Sequence, residues 1–414
     1  MLLYRLGILL YGALIGLLSI GHAKARKWVL GRRGLFEKLS IWRAAHPGKL
    51  LVVHAASLGE FEQARALIDW WKRHHADWKI LVSFYSPSGY EHYSSSEADG
   101  HCYLPLDTAS NARSFVDILQ PSLFVFVRYD FWLELIQTLH KRQIPQAVIS
   151  SFFRSDMWFL KPWARFALSR ISGLDAILTQ NEESVELLRQ YGVRHAQCTG
   201  DGRIDRVAEL ARHPKEMAWL KQFKANRFLL IAGSPWPPDE DRLLPFLHQH
   251  PEAAVLMAPH DVSQGHVNRL IKRLEGLSVI RWSDVSDFDQ IQWNQFQVVV
   301  LDTIGWLSSS YQFADAAFIG GGFTTGIHSI QEPAAYGCPV LFGPKHSGFP
   351  EAQTLMSRGG AKEIYTAQDL MKALEEWMES PSLRHQAGAV CKAFIEENRG
   401  ASERMGRVLE QLIR

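Results

Sequence analysis

The chain has 414 residues, of which 47% are hydrophobic and 21% charged, a composition typical of a globular protein with two or three domains. Its formal net charge of +2 argues against a protein that binds nucleic acid through a concentrated basic surface. The four cysteines are widely spaced and form no Cys-x-x-Cys pair, so we expect free thiols. The sequence indicates neither a metal site nor a bound cofactor.

The N-terminus carries an uncharged apolar run at residues 6–20, followed by basic residues between positions 24 and 33. A bilayer-spanning helix needs about 20 apolar residues, so the run either spans the membrane or lies in its interface. A secretory signal is the alternative, because the small residues at 23–25 resemble a cleavage site. Since Lys and Arg next to an apolar run stay on the cytoplasmic side, we expect residues 1–33 to be a membrane anchor with the body in the cytoplasm.

Beyond residue 50, strand-like apolar runs alternate with amphipathic helical segments. Strands are predicted at 51–56, 79–85, 122–127, 145–150 and 175–180, and, after a polar helical stretch at 200–227, at 228–234, 253–259, 298–302, 316–322 and 339–344. Helices are predicted at 62–72, 131–141 and 182–191, and two or three more at 366–414. This alternation predicts two α/β halves with parallel sheets covered by helices. A cleft between two such halves would be a favoured ligand site.

A turn of small residues, Ser57-Leu58-Gly59-Glu60, connects the first predicted strand to the helix that follows. An acid in the first helical turn compensates the helix dipole, which stabilises a helix by about 0.3–1 kcal/mol. Alternatively, Glu60 is a catalytic base, because open α/β sheets bind ligands at the carboxyl ends of their strands. The stretch alone leaves both interpretations open.

The second half carries two further loops of small residues after predicted strands. Gly233 and Ser234 precede a helix that Pro237 and Pro238 can open, which is either a phosphate site or simply a well-capped helix. Further on, Gly320, Gly321 and Gly322 allow the backbone to approach a ligand closely. His328 and Glu332 lie four residues apart and share a face if this segment is helical.

Taken in order, these segments resemble the 3-deoxy-D-manno-octulosonic acid (Kdo) transferase family. The resemblance rests on the turn at 57–60 and on a glycine-rich signature at 319–344. Further matches are Tyr129-Asp130-Phe131-Trp132, Gln180-Asn181-Glu182-Glu183 and Gly200-Asp201-Gly202-Arg203-Ile204-Asp205. A glycine-rich loop alone is typical of many nucleotide-sugar enzymes, whereas the ordered set from about residue 50 to 360 is specific.

The resemblance implies an inverting glycosyltransferase of the GT-B type, with two Rossmann-like domains facing each other across a cleft and an N-terminal membrane-anchoring helix. An acceptor-binding domain would span 34–207 and a CMP-sugar-binding domain 208–414. The enzyme would move Kdo from CMP-Kdo to a lipid A precursor at the cytoplasmic face of the inner membrane.

The resemblance also implies roles for individual residues. Glu60 takes the position of the general base, with Ser57 and Gly59 in the same motif and Asp130 and Arg154 on the acceptor side. The donor-binding residues would be Gly233, Ser234, Pro259, His260, Gly320, Gly321, Gly322, His328 and Glu332.

The chain departs from the family pattern at the donor-phosphate loop, where many relatives have Pro-Arg-His and this chain has Ala258-Pro259-His260. His260 or another cation would then replace the arginine. Many relatives also have Glu at the position of Asp130. Two alternatives remain: another GT-B sugar-nucleotide enzyme, such as an epimerase or a UDP-sugar transferase, and a non-catalytic membrane-bound scaffold.

Overall fold

The protein, described by a computed structural model over residues 1–93 and 97–414, folds into two α/β units. Unit 1 comprises Met1–Arg206 and Gly400–Arg414, and unit 2 comprises Val207–Arg399. Each unit contains a seven-stranded sheet in which the paired strands run parallel. The prediction of two α/β domains with parallel sheets is therefore confirmed.

Unit 1 alternates strands and helices over its whole length, with the strand order β3-β2-β1-β4-β5-β6-β7. Its strands are β1 (Leu50–Ala55), β2 (Lys79–Phe84), β3 (Gly100–Tyr103), β4 (Leu123–Val127), β5 (Gln146–Ser151), β6 (Ala176–Thr179) and β7 (Ala196–Cys198). Its helices are α1 (Leu2–Leu18), α2 (Ala23–Gly31), α3 (Leu35–Ala45), α4 (Leu58–His74), α5 (Pro87–His92), α6 (Ala109–Leu119), α7 (Leu133–Lys141), α8 (Arg165–Ile171) and α9 (Glu182–Gln190), and α10 (Gly202–Arg212) continues into unit 2.

Apolar side chains cover both faces of this sheet. Along β1 and β4, Val52 and Phe124 join a cluster with α3, α6 and α7, whereas Val53 and Val125 join a second cluster with α4. Because successive strand residues point to opposite faces, a strand buried on both sides reads as a continuous apolar run. This is why the central strands were predictable from hydrophobicity.

Unit 2 repeats the pattern with the strand order β10-β11-β9-β8-β12-β13-β14. Its strands are β8 (Leu229–Gly233), β9 (Ala254–Ala258), β10 (Val279–Arg281), β11 (Val298–Val300), β12 (Ala316–Ile319), β13 (Val340–Phe342) and β14 (Ala361–Glu363). Its helices are α11 (Ala218–Lys224), α12 (Pro237–Gln249), α13 (Gln264–Arg273), α14 (Leu307–Ser310), α15 (Gln331–Ala335), α16 (Pro350–Arg358), α17 (Ala367–Glu379) and α18 (Pro381–Glu397).

All ten predicted strands are present, and four further strands, β3, β7, β10 and β14, were not predicted. These four are the edge strands of the two sheets in the described part of the chain. Each is only three or four residues long and includes polar or small residues, as in Gly100–Tyr103 and Ala361–Glu363. An edge strand is half solvated and short, so it lacks the apolar run that marks a central strand.

The C-terminal region forms three helices, as predicted, but its last helix does not belong to the second domain. Helix α19 (Ala401–Leu412) packs in the core of unit 1, where Met405 and Leu409 are fully buried in the same cluster as Trp71 of α4. The predicted domain range 208–414 is therefore corrected at its end to residue 399. The reason is the apolar face of α19, which covers α4 and the sheet of unit 1.

The carboxylate of Asp205 lies where the chain leaves unit 1, and it also holds the segment that returns. It accepts hydrogen bonds from the backbone N–H of Gly400 (2.6 Å) and of Ser402 (2.7 Å), as well as from the Ser402 hydroxyl. These bonds satisfy N–H groups at the start of α19 that have no partner within the helix. Asp205 thus fixes both crossing points of the chain.

No helix among the described residues has by itself both the length and the hydropathy that a bilayer crossing requires. Helices α1 and α2 have them only when taken together, and a bend of 119° separates the two.

Replacing Leu409 with Ala should destabilise unit 1, because it removes a fully buried side chain from the contact between α19 and α4. A Leu-to-Ala change in a core costs about 2–5 kcal/mol in the free energy of unfolding. Chemical denaturation of the full chain would measure this cost. Leu383→Ala, at a partly exposed position in α18, is the matched control and should cost well under half as much. Equal effects of the two variants would contradict the assignment of α19 to the core of unit 1.

Candidate active site

In unit 1, three side chains meet at the carboxyl ends of β1 and β4. The Nε2 atom of the buried His54 lies 2.8 Å from Oδ2 of Asp130, and the indole N–H of Trp132 donates to the same oxygen at 2.9 Å. The other ring nitrogen, Nδ1, lies 2.9 Å from the Ser83 hydroxyl, because the parallel register pairs His54 with Ser83. These contacts fix the imidazole and the carboxylate of Asp130 in one orientation.

Glu60 stands in the first turn of α4, directly after this strand end. Its carboxylate accepts a hydrogen bond from the backbone N–H of Ser57 (3.2 Å), which is the capping contact expected of an acid at this position. Partial burial raises the pKa of Glu60, and the neighbouring Asp130 carboxylate raises that pKa further. Arg128 and His54 oppose the shift in this pKa. Glu60 therefore serves as a cap and also belongs to a charged cluster.

Arg128 is a member of this cluster that the sequence did not indicate. It has a φ of 66°, in the left-handed region that a non-glycine residue seldom adopts. Its backbone N–H donates to the Ile149 carbonyl at 2.9 Å, which fixes the turn after β4, and its guanidinium lies 5.0 Å from the ring centroid of Tyr129. Its Nε atom is buried and has no hydrogen-bond partner among the described residues. Strained backbone of this kind is frequent at functional sites.

The remaining sequence-predicted residues of unit 1 lie at the same edge of the sheet. Ser57 is the N-cap of α4, and Gly59 is exposed, with open space where a Cβ would stand. Arg154 lies on the loop after β5, where its Nε donates to the exposed Asp156 at 3.1 Å.

In unit 2, several of the predicted donor-binding residues line one cavity of about 160 Å³ at the carboxyl ends of β8 and β12. The cavity is lined by Gly233, Ser234, Leu307, Tyr311, Ile319, His328, Ser329 and Glu332. Burial and the Glu332 carboxylate raise the pKa of Tyr311, so this phenol stays protonated. Gly233 leaves room for it, since a Cβ there would lie 2.1 Å from the Tyr311 hydroxyl. The structure thus brings Gly233, Ser234, His328 and Glu332 together.

Next to this cavity, two histidines and a tryptophan form a stack. The His260 ring lies parallel to Trp236 (4.3 Å between centroids) and to His328 (4.5 Å). The Trp236 indole donates to Nε2 of His328 at 3.2 Å, which places the proton of the neutral ring on Nδ1. Burial, with a smaller effect from His260, lowers the pKa of His328 to about 4, and burial also lowers that of His260. His260 follows the buried Pro259 at the end of β9.

The glycines at 320–322 pack against protein backbone. A Cβ on Gly320 would lie 2.3 Å from the Ser234 carbonyl oxygen, and one on Gly322 would lie 2.6 Å from backbone atoms of Gly343. Gly321 has a φ of 92°, and its N–H donates to Oδ2 of the buried Asp239 at 2.9 Å. These glycines therefore allow two loops to pack closely. Their contact with a ligand stays a prediction.

The start of α12 also differs from the expected phosphate cradle. Pro237 and Pro238, its first two residues, carry no N–H group, and the N–H of Asp239 donates to the Trp236 carbonyl at 2.8 Å. The Asp239 carboxylate accepts a hydrogen bond from the backbone N–H of Trp236 and places a negative charge in the first turn of the helix. Helix starts bind anions through free N–H groups. The helix start therefore serves as the capped terminus that the sequence analysis gave as the alternative.

Comparisons with known proteins find similarity to transferases of Kdo. A sequence-family model described as 3-deoxy-D-manno-octulosonic-acid transferase matches residues 32–206. The chain is 27% identical to the 3-deoxy-D-manno-octulosonic acid transferase of Haemophilus influenzae over 94% of this chain and 92% of that protein. It is also 27% identical to the transferase of the same name from Chlamydophila psittaci, over 92% and 89% respectively.

The resemblance to the Kdo transferase family is thus supported by a family model over residues 32–206 and by relatives of that name over most of the chain. These similarities indicate a glycosyltransferase. The matched segment 32–206 contains Ser57, Gly59, Glu60, Asp130 and Arg154.

The fold is shared more widely than the family. The structure of UDP-GlcNAc 2-epimerase from Neisseria meningitidis bound to UDP-GlcNAc superposes with a TM-score of 0.62 at 16% identity, covering 88% of this chain and all of that one. At this identity the similarity shows the fold alone.

The stability of unit 2 should fall as the pH is lowered from about 6.5 to 4, in part because of His328. Its folded pKa of about 4 lies below the ordinary value of 6.5, so the unfolded chain binds more protons in this interval and acid favours unfolding. Denaturation at a series of pH values would show a shallower pH dependence for His328→Gln than for the unsubstituted protein. Identical slopes would contradict a buried, neutral His328.

Proposed function

We propose that this protein is a member of the Kdo transferase family and transfers Kdo from CMP-Kdo to a lipid A precursor of the lipid IVA type, in lipopolysaccharide biosynthesis. Glu60 acts as the general base: it takes the proton of an acceptor sugar hydroxyl while that oxygen attacks the anomeric carbon, and CMP leaves from the opposite face. The relatives from H. influenzae and C. psittaci, named as transferases of this sugar, support the proposal.

The observation that carries the assignment of the base is the environment of Glu60. Burial and Asp130 raise its pKa, which brings a carboxylate closer to the working pH and makes it a better proton acceptor. The fixed His54–Asp130 pair and Arg128 hold the local charge in place. Asp130 and Arg154 would contact the acceptor, and Arg is suited to a lipid A phosphate.

On the donor side, Glu332 would accept hydrogen bonds from the ribose hydroxyls of CMP, and Gly233, Ser234 and His328 would line the same pocket. Because the start of α12 offers no free N–H groups in its first turn, the phosphate charge would have to be met by side chains. The stacked His260 and His328 would bind the phosphate of CMP, because a bound anion favours the protonated form of a neighbouring histidine. We place the enzyme at the cytoplasmic face of the inner membrane, anchored through residues 1–33.

Glu60→Gln separates the two roles of this residue. Glutamine still accepts the hydrogen bond of a capping box, so the free energy of unfolding should change little. It cannot accept a proton, so kcat should fall by about 10²–10⁴-fold. Incubation of the purified protein with CMP-Kdo and a tetraacylated lipid A precursor, followed by quantification of the product by mass spectrometry, would measure the rate.

The matched control is Glu62→Gln, which removes a carboxylate two residues further along the same helix. It should retain the activity of the unsubstituted protein. Near-normal transfer by Glu60→Gln would exclude this residue as the base. If the unsubstituted protein is inactive on this donor and acceptor while CMP binds, a non-catalytic scaffold becomes the better interpretation.

The low-pH limb of the pH–rate profile should follow the charges around Glu60. Activity needs the ionised carboxylate and should rise with pH through the pKa of Glu60. Asp130→Asn removes a charge that raises this pKa, so the limb should move to lower pH. Arg128→Gln removes a charge that lowers it and should move the limb to higher pH. If the low-pH limb of the kcat/KM profile moved in the same direction for both variants, the assignment of Glu60 as the base would be contradicted.

CMP should bind more tightly as the pH is lowered from about 8 to 6, because phosphate binding to neutral His260 and His328 is accompanied by proton uptake. Isothermal titration calorimetry in two buffers of different ionisation enthalpy would count the protons. The His260→Gln variant should take up fewer protons when it binds CMP.

Thermal unfolding with CMP and with UDP separates this proposal from a UDP-sugar enzyme. CMP should raise the melting temperature, and UDP should not.

A further inference from the structure

Unit 1 exposes a pair of tryptophans on the loop between β5 and α8. The side chains of Trp158 and Trp163 are 42% and 67% exposed, and their rings are stacked with centroids 6.0 Å apart. Trp is costly to leave in water and is enriched where one side of a surface meets lipid headgroups. A stacked pair held in solvent therefore requires an explanation.

The loop that carries this pair is anchored by buried residues. Two short 3₁₀ turns, Trp158–Leu160 and Pro162–Ala164, carry the tryptophans, and Phe159, Leu160 and Ala164 of these turns are buried. Trp158 packs edge-on against the buried Phe159, with 5.8 Å between ring centroids. These buried contacts restrain the loop, which limits the conformational entropy that the pair loses when it inserts into a membrane.

Cations surround the pair. Arg165 is exposed, Lys161 is partly exposed with its ammonium group 3.2 Å from the Ser155 carbonyl oxygen, and both line an open groove of about 520 Å³. The negatively charged Asp156 lies on the same loop and is exposed, but it is paired with Arg154. Trp, Lys and Arg together are the composition of a surface that contacts an anionic bilayer.

The loop of the tryptophan pair contacts the segment next to Asp130, a member of the acceptor-side cluster (His54, Glu60, Arg128, Asp130 and Trp132). Phe159 packs against Phe131, the residue that follows Asp130, with 5.5 Å between ring centroids. The connection between β4 and α7 is therefore shared by the tryptophan loop and by the predicted acceptor site.

The N-terminal helix α1 contacts the first turn of α7, directly after this connection. The Tyr4 hydroxyl donates to the buried Asp107 at 2.6 Å, and Arg5 forms a two-pronged pair with the buried Glu134 at 2.7 and 3.2 Å. The N–H of Leu133 donates to the Tyr4 hydroxyl at 3.3 Å. These bonds dock the start of α1 on unit 1.

Further along α1, Tyr11 stacks on Tyr85, whose ring lies 4.3 Å from that of Trp132 in the acceptor-side cluster. The other face of the helix is apolar and exposed, at Leu3, Leu10 and Leu17 among others. A docked helix with an exposed apolar face fits an interfacial position better than a spanning one.

We propose that Trp158 and Trp163, with Lys161 and Arg165, form a second membrane contact, which inserts into the headgroup region of an anionic phospholipid bilayer. Together with α1 it holds the carboxyl edge of the unit 1 sheet against the membrane, so that a lipid-linked acceptor enters the site without leaving the bilayer. This inference rests on the proposed function, because it assumes a lipid acceptor and anchoring through residues 1–33.

Flotation of the full chain with vesicles free of donor and acceptor tests the contact. Vesicles of phosphatidylethanolamine and phosphatidylglycerol are compared with vesicles of phosphatidylcholine. The double variant Trp158→Ala/Trp163→Ala should lower the partition coefficient on both kinds by at least about tenfold, since two largely exposed aromatic surfaces no longer insert. Lys161→Gln/Arg165→Gln should lower it only on the anionic vesicles. Ile304→Ala, at a highly exposed apolar side chain of unit 2, is the matched control and should leave it unchanged.

Unchanged partitioning of the tryptophan variant would overturn the proposal. So would a shift from dimer to monomer on this substitution, seen by light scattering, because the pair would then be a contact between copies of this chain. Transfer to an acceptor dispersed in detergent keeps the two proposals apart: the tryptophan variant should match the unsubstituted rate there. If neither protein transfers Kdo, the proposed function fails and the vesicle result is unaffected.

Discussion

The hydrogen bonds of the Asp205 carboxylate hold unit 1 together at the two places where the chain crosses its boundary. The backbone N–H groups of Gly400 and Ser402 bind a side chain that lies 195 and 197 residues earlier in the sequence, and this fixes the start of α19. Helix α19 in turn packs on α4, the helix whose first turn carries Glu60. The position of the proposed base relative to His54 and Asp130 therefore depends on a helix more than 300 residues away in the chain.

The sequence predicted the strands that are buried on both faces of a sheet, and it did not predict the strands that are partly exposed to solvent. Central strands such as β1 and β4 are buried on both faces and carry continuous apolar runs, so hydrophobicity located them. Edge strands such as β7 and β14 pair on one side only, and their few residues carry no distinct pattern. The place of α19 was also out of reach, because an amphipathic helix shows that it has a partner without showing which one.

The candidate site divides in the same way. Glu60 could be found because a small-residue turn after a strand is a local signal. The structure contains the capping contact, and the role of Glu60 as a base stays a prediction. His54 left a weak signal, a polar residue inside an apolar strand. Arg128 and Asp239 left none, because their roles come from a backbone dihedral angle and from a contact 82 residues away. Pairing across long stretches of sequence cannot be read from composition or periodicity.

The return of α19 to unit 1 makes unit 2 an insertion between two segments of one domain. A chain emerging from the ribosome presents residues 207–399 as a contiguous stretch, so unit 2 has all of its own residues early. Unit 1 lacks a core helix until residues 400–414 have been translated, and until then the surface of α4 that α19 covers, including Trp71, lacks that cover. Folding of the half that carries Glu60 therefore waits for a segment that is translated only after all of unit 2.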